Sequence, residues 1–67
     1  MTIKEAMQKA VREGNAVLAG RICDKMRFEL GANYKQIEAR FVANTGCTPA
    51  DFESLMYYAD TMENATP

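Results

Sequence analysis

Apolar side chains recur along this chain in steps of three and four, without the alternation that marks a strand, and glycines interrupt the recurrence. Ile3, Ala6, Met7, Ala10 and Val11 follow the i, i+3, i+4, i+7, i+8 spacing of one helical face. Thr2 and Glu5 before them fit a capping box, in which each side chain satisfies a free backbone N–H at the helix start. Glu5 and Lys9 stand in the favourable i, i+4 order for an ion pair, and Gly14 stops the segment. Asn15 caps a second helix, Ala16 to Leu30, whose main stripe is Ala19, Ile22, Cys23, Met26 and Leu30. Val17 and Phe28 lie off that stripe, beside Arg21 and Asp24. A helix apolar on two sides is either central in a bundle or part of an interface, and the central reading is favoured.

Gly31 ends the second helix, and Asn33 with Gln36 forms the capping box of a third. Its inner face is Tyr34, Ile37 and Phe41, with Val42 on the flank and Gly46 as the stop. Thr48-Pro49-Ala50-Asp51 is the strongest start signal in the chain. Thr48 caps, Pro49 takes the first helical position, and Asp51 returns the hydrogen bond near the positive end of the helix dipole. Phe52, Leu55, Met56, Ala59 and Met62 form the stripe that follows. The expected fold is all-α: a compact bundle of about four short helices, one domain over residues 1–63, with residues 64–67 as a frayed tail. A chain of 67 residues buries only ~60% of the surface its unfolded form exposes, so a second copy is expected to add stability as a homodimer.

One segment has a further resemblance. In helix-turn-helix proteins the turn glycine follows one core position by five residues and a small position by four. Further core positions come one, six and nine residues after it. With Gly46 as that glycine, Phe41 and Val42 fall before it, and Cys47, Phe52 and Leu55 after it. Residues 36–57 therefore resemble the helix-turn-helix superfamily, with Val42 bulkier than the usual alanine. The resemblance implies that the fourth helix is the one that would enter DNA. Reading base edges and phosphates calls for Arg, Lys, Asn or Gln. The residues presented here are Thr48, Pro49, Ala50, Asp51, Glu53, Ser54, Tyr57 and Asp60, with three acids and no base. DNA carries one negative charge per ~1.7 Å of axis, so such a helix is repelled from it.

Charge sharpens the division. Residues 1–40 hold all eight basic side chains and five acids, a net of +3. Residues 41–67 hold four acids and no base, a net of −4. An asymmetry of this kind biases the choice of partner or favours antiparallel self-association. With no histidine, the commonest acid–base group and metal ligand is missing. Cys23 and Cys47 lack the spacing of a zinc site and read as small core residues. No glycine loop is built to cradle phosphate, and the four glycines read mostly as helix punctuation. An enzyme is therefore not expected, and neither is a cofactor or a metal. Residues 1–13 lack the apolar run and cleavage site of a signal peptide, and no stretch approaches the ~20 apolar residues of a membrane span. A cytoplasmic location with reduced thiols is expected.

What remains is a surface that binds. On the fourth helix Glu53, Tyr57 and Asp60 share a strip away from the apolar stripe. An exposed tyrosine between carboxylates suits a protein partner with a basic surface. Val17 and Phe28 form a second candidate patch. The expected role is that of a small regulatory or accessory protein, an adaptor or inhibitor. The alternative is a DNA-binding regulator, monomeric or dimeric, that uses Lys4, Arg12, Arg21, Lys25, Arg27, Lys35 and Arg40 of the first three helices.

Overall fold

A computed structural model describes the backbone of residues 1–65 and the side chains of residues 1–61. The chain forms four helices in that span: α1 (Ile3–Glu13), α2 (Ala16–Glu29), α3 (Tyr34–Thr45) and α4 (Pro49–Ala65). Each start follows the chemistry read from the sequence. The Glu5 N–H donates to Thr2 Oγ1 at 3.1 Å, and the Thr2 N–H donates to Glu5 Oε1 at 3.2 Å. Asn33 and Gln36 exchange two bonds of 2.9 Å in the same way. Because the Glu5 carboxylate is held by Thr2, it makes no ion pair with Lys9, contrary to expectation. The ion pair observed among the described residues joins Lys25 to Glu29 at 3.3 Å.

α2 is the central element. It packs against the other three helices, while α1 and α4 do not meet among the described residues. The radius of gyration is 11.0 Å, matching the ~11 Å expected of a compact chain of this length. The largest fully buried side chains are Met7, Met26, Ile37, Phe41 and Phe52. Phe41 and Phe52 meet with ring centroids 5.0 Å apart, and Tyr34 lies on the other side of Phe52 at 5.4 Å. These tilted pairs tie α3 to α4, because rings stacked at an angle bring the positive edge of one toward the negative face of the other.

Four details differ from the sequence reading. Leu30, expected in the core, is 60% exposed. The helix stops at Glu29 and Leu30 caps it with a near-helical backbone, so its side chain stays in line with Met26 but borders the open groove between α2 and α3, where little covers it. Val17 and Phe28 point to solvent at 49% and 79% exposure, although α2 is central. They sit about 160° round the helix from Ala19 and Met26, where no other helix lies. Tyr34, expected on the inner face, is 42% exposed despite its contact with Phe52. Gly20 is more than punctuation: a Cβ built there would meet the Ala59 Cβ at 3.3 Å, so its bareness lets α2 and α4 approach closely. The expected core position Met62 lies outside the described side chains. The backbone of α4 continues to Ala65, and residues 66 and 67 of the expected tail lie outside the described residues.

Candidate functional site

The turn before α4 sets the direction of its outer face. Gly46 takes φ +76°, and its N–H donates to the Val42 carbonyl. Thr45 Oγ1 donates to the Phe41 carbonyl at 2.6 Å and accepts the Cys47 N–H at 3.2 Å. The Asp51 N–H then donates to Thr48 Oγ1 at 3.1 Å, and the Thr48 N–H to Asp51 Oδ2 at 3.2 Å. With the start pinned and Phe52 buried, the rotation of α4 is determined. Phe52 and Ala59 are buried and Leu55 and Met56 partly so, while Glu53, Tyr57 and Asp60 stand in solvent within an arc of about 60°.

Tyr57 is 68% exposed, and Tyr58 beside it 57%. Their rings meet edge-on with centroids 5.8 Å apart. Sequence reasoning missed Tyr58, because neighbouring residues on a helix diverge by about 100°. Only the length of the two side chains lets their rings meet. Tyr34 also joins this region. Its phenol pKa is raised from the ordinary value by partial burial first, and then by the carboxylates of Glu53 and Glu38. The outer face of α4 is thus acidic and carries the Tyr57–Tyr58 pair, with the Tyr34 phenol of α3 close enough to feel the Glu53 charge.

The cysteines are inert by position. Cys23 is buried, and its thiol lies 3.2 Å from the Met56 sulfur. Burial pushes its pKa up to about 11, with the Arg27 guanidinium pulling weakly the other way. A thiol that holds its proton so tightly is a poor nucleophile at neutral pH. Cys47 is buried as well. Among the described residues no three Cys, Asp or Glu side chains gather closely enough to hold a metal ion.

The seven basic candidates are all exposed. On α2, Arg21 and Lys25 are about 40° apart, but Arg27 lies at least about 120° from either. On α3, Lys35 and Arg40 diverge by about 140°. On α1, the Gln8 amide between Lys4 and Arg12 is tied to the Asn44 carbonyl at 3.1 Å. Val17 and Phe28 share one strip of α2, yet they are separated by about 16 Å of helix and by Arg21 and Asp24. They do not form a continuous apolar patch.

Compared with known proteins, the chain matches no family model, no curated protein and no solved structure.

Proposed function

We propose that this chain is a non-enzymatic regulatory or accessory protein that binds another protein through the exposed face of α4. One observation carries the reading: Tyr57, 68% exposed and paired with Tyr58, stands between Glu53 and Asp60 on a helix with no basic residue. Tyrosine makes a strong interface anchor because its large, stiff ring buries apolar area while its hydroxyl keeps a hydrogen bond. Carboxylates on either side select a partner with a basic surface and speed encounter with it.

The helix-turn-helix resemblance belongs to this proposal as architecture. Gly46 in the left-handed region and the burial of Phe41, Cys47 and Phe52 support it. Reading DNA with α4 lacks that support, since its outer face is acidic. Lys4 and Arg12 share a face of α1, and Arg21 and Lys25 a face of α2, but Arg27 lies apart from the α2 pair and Lys35 apart from Arg40, which weakens the alternative of a single basic surface.

The test is to capture partners from the native host, identify them, and titrate the leading one against wild type and Tyr57→Ala. Binding should weaken by about tenfold or more, the equivalent of ~1.4 kcal/mol for a lost anchor, with the thermal melt unchanged. Equal affinity of the two proteins would remove α4 as the binding surface.

A further inference from the structure

α2 and α3 touch least of all the packed pairs, and between them lies an open groove of about 550 Å³. Met26 of α2, Leu30 at its C-cap, Ala32 of the connecting loop, and Ala39 and Ala43 of α3 make it apolar. Its size falls within the ~300–1,000 Å³ of small-molecule clefts, which leaves room for an aromatic side chain. Arg40 is the one charged group in the lining, and no carboxylate among the described residues pairs with it. Gln36 also lines the groove. Its Oε1 is taken by the Asn33 N–H, which leaves the amide NH2 as a donor. The groove therefore offers an apolar floor, a free cation and a free donor. Its complement is an aromatic side chain flanked by carboxylates.

That complement is present in the same chain. We propose that the groove between α2 and α3 of one copy receives the Tyr57 face of α4 from a second copy, joining chains head to tail. The Tyr57 ring enters the apolar floor, and Glu53 or Asp60 meets Arg40. Ala39 and Ala43 end at Cβ, so an incoming helix can lie close to the α3 backbone. The division of charge, +3 over residues 1–40 and −4 over residues 41–67, draws the two surfaces together.

Geometry decides the head-to-tail form. On α3, the groove residues Gln36, Ala39, Arg40 and Ala43 lie about 170° round the helix from Tyr34 and Glu38. Tyr34 is the residue that packs on Phe52 of α4. Groove and α4 thus occupy opposite flanks of α3. A contact between opposite flanks is not self-complementary. It leaves one groove and one α4 face free at the ends, so growth continues beyond two copies. The proposal rests on the reading of the α4 face as a binding surface, and it adds regulation: self-assembly covers the face that the partner needs.

The experiment is sedimentation equilibrium on the full chain from micromolar to millimolar concentration. Two variants accompany it: Tyr57→Ala, which removes the inserted ring, and Ala43→Trp, which fills the groove. Both positions are exposed, and circular dichroism melts will verify that each variant folds. The average mass of wild type should rise with concentration past two copies and fall back in high salt. Each variant alone should remain a monomer. Mixed in equal amounts, they should form a one-to-one pair that grows no further, because Ala43→Trp still offers its α4 face and Tyr57→Ala still offers its groove. A wild type that is monomeric throughout overturns the proposal. So does a wild type that stops at two copies, or a mixture that fails to pair. Failure here leaves the partner titration untouched. Conversely, a Tyr57→Ala variant that keeps full partner affinity but loses self-assembly refutes the proposed function alone.

Discussion

At the scale of single residues, Phe52 and Tyr57 show how five positions on one helix separate stability from binding. Phe52 is fully buried between Phe41 and Tyr34. Phe52→Ala should cost ~3–5 kcal/mol, through lost burial and the cavity left behind. That is much of the total stability of a small domain, and a large drop in melting temperature or an unfolded spectrum will report it. Tyr57→Ala should leave the melt nearly unchanged. Cys23 makes a prediction about pH. Its thiol ordinarily titrates near 9.0 but holds its proton to about 11 in the folded chain. Between those values the unfolded chain sheds a proton that the folded chain keeps, so stability falls as pH rises from about 9 to 11 and this contribution then levels off. Urea titrations of wild type and Cys23→Ala across that range will report the effect, since the main cause of the Tyr34 shift, its partial burial, is common to both proteins. The difference in stability between them should change with pH above 9 and stay constant below it.

At the scale of helices, starts were more legible than faces. A capping box is local chemistry within four residues, so Thr2, Asn33 and Thr48 could be read without knowing what each helix packs against. Thr48→Ala should therefore lower stability by ~1 kcal/mol, seen as a lower urea midpoint, because an N–H at the start of α4 loses its acceptor. Leu30 and Gly20 could not be read in this way. The fate of Leu30 depended on how slightly α2 and α3 pack beyond Met26, which no local signal sets. The role of Gly20 depended on Ala59, which is remote in sequence and adjacent in space. Gly20→Val should destabilise by ~1–3 kcal/mol, despite removing a glycine from a helix, because the added methyls collide with α4. A melting temperature at or above that of wild type would mean that the two helices separate without cost.

At the scale of the whole molecule, charge is arranged by sequence segment more than by helix face. The C-terminal 27 residues carry every acid of α4 and no base, whereas the bases of the first 40 residues stand among five acids, with Arg27 turned away from Arg21 and Lys25, and Lys35 from Arg40. Binding to a basic partner should therefore weaken as salt rises, since exposed charges are screened beyond ~8–10 Å at physiological ionic strength. Glu53→Lys combined with Asp60→Lys should flatten that salt dependence or reverse its sign. Affinity measured at two salt concentrations for each protein is enough to check it.

The sequence alone determined the number of helices, their starts and most of the core, because capping and apolar periodicity act within one or two turns of chain. It also singled out Glu53, Tyr57 and Asp60, since the rotation of a helix follows from its apolar stripe. Tertiary structure decided which apolar residues stay in solvent. Val17 and Phe28 are exposed because no helix covers that side of α2. Tyr58 joins the acidic face because two neighbouring rings are long enough to touch, and Tyr34 comes within reach of the Glu53 charge because α3 and α4 meet through Phe52. The groove beside Arg40 exists because α2 and α3 pack only slightly. Each of these depends on contacts between segments far apart in the chain, where periodicity carries no information.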